Sequence, residues 1–306
     1  MAHFEVYVPE APPGLPAALT LRVDAAHWLA ALKAGLARFG LPAPPAHVLC
    51  DVKPDGSIHV TDPESGRVFR IHELGASAPG ELPPEAVSEP PAEGPAAPPA
   101  EPPGRRARPS SVADLVVVAA APAQPPPGRI GRTVGPVGTG ALLTDLFEKA
   151  ADLQGSPDRR SALATCLELA LQYTDAEAGS AFLLEPDTGD LLFDVARGPR
   201  AAEVLRLGMH IPMGLGLVGF CAQERVCVAV SDAAHHPRWF RGIAEAVGYE
   251  ARSLLCAPVV CDGELLGALQ VLNRRGGQPF GPTDVTVVSY LASRAGEWLA
   301  KHASVE

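Results

Sequence analysis

The stretch SLLCAPVVCDGELLGALQVLN, residues 253–273, decides the fold of the C-terminal half of this chain. Two mainly apolar runs, Ser253–Cys261 and Glu264–Asn273, stand on either side of the dipeptide Asp262-Gly263. An Asp-Gly pair between two such runs is typical of a tight β-hairpin, because both residues tolerate the positive φ that the turn requires. The sequence therefore predicts two long antiparallel strands.

Working outward from this hairpin, the chain predicts more strands and several helices. Strands are predicted at residues 180–185 and 190–196, which flank a Pro-Asp-Thr-Gly turn, and at residues 226–230. Apolar residues recur at helical spacing in four segments, residues 142–153, 159–173, 239–247 and 283–302, and a short helix should also end at Glu224. Helices before and after an antiparallel sheet predict an α+β domain from residue 140 to residue 306.

Six motifs in this half occur in a fixed order. They are Gly216-Leu217-Val218-Gly219, Val230-Ser231-Asp232, His236-Pro237-Arg238-Trp239, Gly248-Tyr249, Ser253–Val259 and Gly267–Asn273. This ordered set resembles a GAF domain over roughly residues 141–303. The resemblance implies a regulatory domain that senses a small molecule.

The end of the last motif is similar to the GAF domains of cyclic-nucleotide phosphodiesterases and bacterial adenylyl cyclases. Their signature runs Asn-Lys, a gap, Phe, three residues and Asp-Glu; the matching positions here are Asn273, Arg274, Phe280 and Asp284, with Val285 replacing the final Glu. The resemblance implies that Arg274 and Asp284 form a latch beneath the pocket. The alternative is an ion pair that fixes a loop in a domain with a different ligand.

The resemblance also implies a ligand pocket. Phe193 would stack on a purine, while Ser180 and Asp194 would hydrogen-bond its edge. Leu217 and Val218 would present backbone N–H groups to a cyclic phosphate at a helix start.

Three further pocket positions argue against a nucleotide. Ala244, Val247 and Ala251 stand where nucleotide-binding relatives tend to place polar side chains over the ligand. Losing such hydrogen bonds weakens binding. Cyclic AMP or cyclic GMP is therefore one expected ligand, and a pocket that binds nothing is the alternative.

The first 75 residues predict a small α/β module that resembles no family. Residues 3–8 alternate like a strand, Asp24 is in position to cap a helix that runs to Phe39, and residues 47–72 contain three short strands separated by turns. Residues 76–139 are rich in Pro, Ala and Glu, which predicts a disordered linker. Within it, the apolar segment Asp114–Val118 is either an insertion or a segment that docks on a partner's sheet edge.

Composition narrows the function. The net charge of -10 disfavours a general grip on nucleic acid or an anionic membrane. The six cysteines have no spacing typical of a metal site, and the N-terminus lacks the features of a signal peptide, so we expect a cytoplasmic protein with reduced thiols and no metal.

The sequence favours a regulatory function over an enzymatic one. One branch of GAF-like proteins reduces free methionine sulfoxide with paired cysteines, but Cys221 and Cys227 lack the electropositive setting of a reactive thiol. The pair His235-His236 is expected to structure a loop rather than to bind a metal. We expect no catalytic residues, and therefore a signal-transduction regulator that passes its signal to a separate protein and forms a homodimer through the helices flanking the GAF domain. The alternative function is a scaffold whose GAF domain binds no ligand.

Overall fold

The computed structural model describes residues 1–9, 18–38, 40–44, 46–53, 55–63, 65–74, 139–236 and 238–302. The predicted linker lies outside these ranges apart from its last residue, Thr139, where a helix begins. The apolar segment Asp114–Val118 also lies outside them.

The N-terminal module is a small sheet with one helix. Its described elements are β1 (Ala2–Val8), β2 (Leu19–Ala25), α1 (Trp28–Arg38), β3 (His47–Val52), β4 (Ile58–Thr61) and β5 (Val68–Leu74). Neighbouring strands pair antiparallel in the order β2-β1-β5-β4-β3. The three strands expected in residues 47–72 are therefore present as an antiparallel meander.

The prediction that Asp24 caps α1 is wrong. Asp24 lies in β2, paired with His3 of β1, and α1 begins only at Trp28. His27 takes the capping position instead, because its Nδ1 accepts a hydrogen bond of 3.2 Å from the backbone N–H of Ala30. Strand β2 is absent from the sequence-based expectations, although its residues alternate between apolar and polar.

The C-terminal half follows the predicted order of elements closely. It contains α2 (Thr139–Ala151), α3 (Arg159–Thr174), β6 (Ala176–Leu184), β7 (Leu191–Arg197), α4 (Ala201–Leu207), β8 (His210–Ile211), α5 (Gly216–Glu224), β9 (Cys227–Val230), α6 (Arg241–Val247), β10 (Leu254–Cys261), β11 (Glu264–Arg274) and α7 (Pro282–His302). The short elements α4 and β8 are additional to the expectations. The β10–β11 hairpin turns at Asp262 and Gly263, whose φ angles are 49° and 81°, as expected for a turn with positive φ at both positions.

The two halves share one sheet. The C-terminal strands pair antiparallel in the order β9-β10-β11-β6-β7-β8, and β9 also pairs with β3 in parallel, through partners such as Val48 and Val228. This junction gives a sheet of eleven strands among the described residues. This pairing of β3 with β9, which joins distant parts of the chain, was not predicted from the sequence.

Apolar side chains form two cores. Helices α2, α3 and α7 pack on one face of the C-terminal sheet, with Trp298 and Leu291 of α7 among the buried residues. The other core joins the N-terminal module to α5 and to the opposite sheet face, and it includes Trp28, Phe220 and Leu254. Among the described residues, no helix is long and apolar enough to span a bilayer.

Candidate functional site

A cavity opens on the sheet face opposite α2, α3 and α7. It is bordered by β6, β7 and β11 on one side and by α4, the start of α5 and the segment around α6 on the other. Its volume is about 90 Å³, which is room for about six to nine water molecules. A partly open cavity of this size suits a small ligand.

The floor of the cavity combines polar and aromatic groups. Ser180 of β6 is 7% exposed and pairs across the sheet with Gln270 of β11, and both residues line the cavity. Phe193 of β7 also lines it, with its ring centroid 4.3 Å from that of Phe182. The structure thus brings together the predicted stacking ring and one predicted hydrogen-bonding group.

Asp194 does not lie among the residues that line the cavity, contrary to the role expected for it. Consecutive strand residues point to opposite faces, and a bulge between Ala181 and Phe182 leaves Asp194 without a ladder partner. Its Oδ1 lies 3.6 Å from Nη2 of Arg159, at the start of α3. The neighbouring residue Val195 belongs to the core on the α3 face. Asp194 therefore pairs with α3 and lies outside the cavity lining.

The first turn of α5 closes one side of the cavity. Leu217 and Val218 are buried and line it, and Gly216 before them has φ of 66°. Gly219 lies so close to the preceding loop that a Cβ there would stand 2.7 Å from the carbonyl oxygen of Pro212. Among the described residues no side chain caps this helix start, where Leu215 is the N-cap, and this leaves its first N–H groups for another acceptor.

The end of α6 and the residues after it form an apolar wall. Val247 and Ala251 line the cavity as expected, while the side chain of Ala244 is outside the described part of the chain. Tyr249 stands between them on the same wall. Its hydroxyl accepts a 3.0 Å hydrogen bond from Nδ2 of Asn273, and burial together with the nearby Glu177 raises the pKa of Tyr249 to about 12. This phenol therefore stays neutral at physiological pH.

The ion pair expected between Arg274 and Asp284 is present. Nη1 of Arg274 lies 3.2 Å from Oδ2 of Asp284, and the same oxygen accepts a 2.8 Å hydrogen bond from the N–H of Gly281. Burial raises the pKa of Asp284, against the opposing effects of that N–H and of Arg274. Phe280 is buried in the core next to the latch.

Asn273 is the most heavily bonded residue of this signature. Its Oδ1 accepts from the N–H groups of Arg252 and Ser253, at 2.7 and 3.3 Å, and its Nδ2 donates to Tyr249 and to the carbonyl of Glu250. The side chain is almost completely buried. Asn273 thus fixes the loop that carries the apolar wall.

Two arginines at the border of the cavity were not predicted from the sequence. Arg197 ends β7 and Arg200 precedes α4, and both line the cavity while remaining partly exposed. Each contacts a carboxylate, Glu168 in the first case and Glu203 in the second. The signal in the sequence is the pair of basic residues in Arg-Gly-Pro-Arg directly after a strand, which places cationic groups at the end of the sheet.

The cysteines and histidines considered for chemistry are placed as structural groups. Cys221 and Cys227 are free and buried; burial raises the pKa of Cys227 to about 12 and also raises the pKa of Cys221 well above its usual value. Thiols in this state are poor nucleophiles. His236 is 3% exposed, and its Nδ1 accepts from the N–H of Arg238 at 3.1 Å, whereas the exposed His235 contacts Asp232. The described residues contain no group of three His, Cys, Asp or Glu side chains arranged to hold a metal.

Known proteins similar to this chain share its C-terminal half. A family model described as "GAF domain" matches residues 158–297. The dual 3',5'-cyclic-AMP and -GMP phosphodiesterase 11A of Takifugu rubripes is 30% identical over 151 residues, which are 46% of this chain and 17% of that protein. The dual phosphodiesterase 11 of Drosophila melanogaster is 27% identical over 156 residues, 47% of this chain and 11% of the relative. This chain thus spans less than a fifth of the length of either relative.

A solved structure shares the fold. The GAF domain of a phosphoenolpyruvate-protein phosphotransferase from Coxiella burnetii matches with a TM-score of 0.50 and 20% sequence identity. The match covers 54% of this chain and 96% of that one. At this level of identity the similarity concerns the fold and not the ligand.

Proposed function

Residues 158–297 are a GAF domain, and on that premise we propose that this protein is a signalling regulator whose GAF domain binds a small ligand. The observation that supports this most directly is the cavity itself. It has an aromatic side in Phe193, a polar floor in Ser180 and Gln270, and a cationic group in Arg200. This mixture of apolar area with a few orienting polar groups is typical of a small-molecule site.

The ligand we propose to test first is a cyclic nucleotide, cyclic AMP or cyclic GMP. A purine would stack on Phe193, and the hydroxyl of Ser180 and the amide of Gln270 would hydrogen-bond its edge. A cyclic phosphate would gain from Arg200 and from the uncapped start of α5. The two phosphodiesterases similar to this chain are named for the same two nucleotides.

The output of the protein is proposed to be regulatory rather than catalytic. The thiols of Cys221 and Cys227 are buried with raised pKa values, which disfavours a reductase mechanism at these cysteines. We propose that the ligand signal passes to a separate signalling protein in the cytoplasm. We also propose that the chain acts as a homodimer through the helices α2, α3 and α7.

A scaffold without ligand is the second candidate function. Val247 and Ala251 make the wall beside α6 apolar, and the empty volume is small for a nucleotide. As a scaffold, the GAF domain would bind other proteins and no small ligand. The test below separates the two functions.

The experiment is thermal unfolding of the whole chain with and without millimolar cyclic AMP or cyclic GMP. A ligand present at 100 times its Kd stabilises the folded state by about 2.7 kcal/mol, which raises the midpoint by several degrees. The shift should disappear in Phe193→Ala and shrink in Ser180→Ala. It should persist in the matched control Asp194→Asn, because Asp194 contacts Arg159 and lies outside the cavity lining.

Either result is informative. A shift that depends on Phe193 establishes a cyclic-nucleotide sensor at this site. If neither nucleotide shifts the midpoint, the cyclic-nucleotide proposal is wrong. Should Ala251→Trp, which fills the cavity, then leave signalling intact, the scaffold function replaces the sensor.

A further inference from the structure

The N-terminal module contacts the helix that closes the ligand cavity. Helix α5 is nine residues long, or about 13 Å. Its first residues, Gly216 to Val218, line the cavity, whereas Phe220 and Glu224 face the module. One short rigid element therefore touches both the ligand site and the first 75 residues.

The contact at the far end of α5 is aromatic and charged. The ring of Phe220, 1% exposed, has its centroid 5.6 Å from that of Trp28 and 5.1 Å from that of His27, in an edge-to-face arrangement with the latter. The carboxylate of Glu224 accepts a 2.7 Å hydrogen bond from Nζ of Lys33 and lies 3.2 Å from Nε2 of His27. Its side chain is only 14% exposed. Because a carboxylate in this position needs its partners, the pose of α5 depends on α1.

A second connection runs from the cavity wall to the same interface. Trp239 and Phe240 line the cavity, and the preceding residue Arg238 places its guanidinium 4.5 Å from the centroid of the Phe220 ring. The Cβ that an alanine would add at Gly216 would stand 3.1 Å from Cβ of Phe240. The segment before α6 and the start of α5 are thus in close contact and would move together.

The sheet supplies a third connection. Strand β3 of the module pairs in parallel with β9, and the hydroxyl of Ser231, just after β9, donates to Oδ1 of Asp51 at 2.7 Å. On its other side β9 pairs with β10, whose residue Leu254 lines the cavity. Trp28, Phe220 and Leu254 all belong to one continuous core.

We propose that the N-terminal module is the regulatory partner of the cavity within the same chain, coupled to ligand occupancy through α5. A ligand that prefers one position of the first turn of α5 also selects one packing of Phe220 and Glu224 against α1. Because coupling between two sites is reciprocal, the docked module in turn sets the affinity of the cavity. This inference rests on the proposed function, since it takes the cavity to be the ligand site.

The test uses side chains in place of a ligand, so that it does not depend on which molecule binds. Ala251→Leu and Val204→Phe each add volume to the cavity, from the wall beside α6 and from α4 respectively. Amide hydrogen exchange is measured in the whole chain, at α1 and β3 of the module and at the first turn of α5. We expect exchange in α1 and β3 to change by about fivefold or more in both variants, the lower range of ordinary coupling between sites.

The interface variant Glu224→Gln removes the charge that joins α5 to Lys33 and His27. When Glu224→Gln is combined with a cavity-filling variant, the resulting change in amide exchange at α1 should fall below about twofold. That is less than the ordinary coupling between two sites. The matched control Glu297→Gln removes a carboxylate from an exposed pair with Arg294 on α7, and the effect should remain. Two different cavity-filling variants are used so that the test remains valid if one of them fails to fold.

The proposal is overturned if exchange in α1 and β3 is unchanged while the first turn of α5 responds, because the module is then docked but uncoupled. It is equally overturned if α5 does not respond to either variant. A failure of cyclic AMP and cyclic GMP to bind would leave this test intact. The two proposals therefore fail on different measurements.

Discussion

Buried polar side chains shape the cavity at the scale of single residues. Asn273 is 1% exposed and uses both ends of its amide to bond the loop from Tyr249 to Ser253. A buried amide is stabilising only when its donors and acceptors are matched. Since Tyr249 and Ala251 of this loop line the cavity, the position of the apolar wall depends on Asn273.

The latch gives a first prediction. Arg274→Met should destabilise the protein by about 1–3 kcal/mol, more than Asp284→Asn, because it leaves a buried carboxylate without its cation. Asparagine at position 284 keeps an acceptor for the N–H of Gly281 and removes the charge. The measurement is urea unfolding of both variants at pH 7.

The pH dependence of the Arg274→Met variant follows from the direction in which the pKa of Asp284 is shifted. Burial raises the pKa of Asp284 above its value in the unfolded chain, so stability is lost as the pH rises through the folded-state pKa. In Arg274→Met the charged form of Asp284 has no cation beside it, so the loss of stability with rising pH should be larger. The deficit of Arg274→Met should therefore be larger at pH 7 than at pH 4; equal deficits would mean that the ion pair does not stabilise the carboxylate.

His236 gives a second prediction. Burial lowers its pKa to about 4, with a smaller contribution from Arg238, so the folded state prefers the neutral ring. Its contribution to stability is fully present above pH 6.5 and is lost as the pH falls toward 4, by about 3 kcal/mol at most. His236→Asn keeps an acceptor for the N–H of Arg238 but does not titrate. Urea unfolding at pH 7 and pH 4.5 should show a steeper loss in the parent, and parallel pH profiles would contradict the assignment.

At the scale of elements, the closing helix α7 depends on a close approach to the sheet. Gly296 lies over β10, and a Cβ there would stand 2.6 Å from the carbonyl oxygen of Val260. The obstacle is backbone, which cannot rotate away. The packing distance between α7 and the sheet is therefore set by this glycine.

The third prediction concerns that contact. Gly296→Ala should destabilise the protein by about 1–3 kcal/mol through overpacking, although alanine favours a helix by about 1 kcal/mol. Ser293→Ala on an exposed part of α7 is the control and should change stability by less than about 0.5 kcal/mol. Unfolding in urea measures both variants. A Gly296→Ala variant as stable as the parent would show that helix and sheet separate easily.

At the scale of the whole molecule, the helices opposite the cavity expose one aromatic side chain among the described residues. Phe147 of α2 is 47% exposed and its ring lies 4.6 Å, centroid to centroid, from that of Tyr290 of α7. Phe147, with the partly buried Tyr290 beside it, is available for contact with a second copy of the chain. It is consistent with the proposed homodimer, in which α2 and α7 of two copies would meet.

The fourth prediction tests this dimer. Phe147→Glu should shift the protein from dimer to monomer in sedimentation equilibrium at micromolar concentration, because it places a charge in the apolar contact. Leu207→Glu is the matched control: Leu207 is 43% exposed but lies on α4, near the cavity. Its dimer should persist. A parent that sediments as a monomer, or a control that dissociates equally, would disprove this interface.

The order and type of most elements are predictable from the sequence, because they depend on local signals. The Asp262-Gly263 turn, the helical spacing of apolar residues in α3 and α7, and the alternation in the strands of residues 47–72 are all readable within a few residues. The same holds for the Arg274 and Asp284 pair, whose spacing matches a family signature. Of the predicted pocket residues, Ser180, Phe193, Leu217, Val218, Val247 and Ala251 line the cavity.

The contacts between these elements depend on the three-dimensional fold. At the bulge in β7 Asp194 lies next to Arg159, and the chain after β7 brings Arg200 to the cavity. The pairing of His47 with Cys227 joins positions far apart in the chain. No local pattern encodes such a pairing, because it depends on which strand edges remain open once each half has formed its own hydrogen bonds. The junction between the module and the cavity therefore had to be seen in three dimensions.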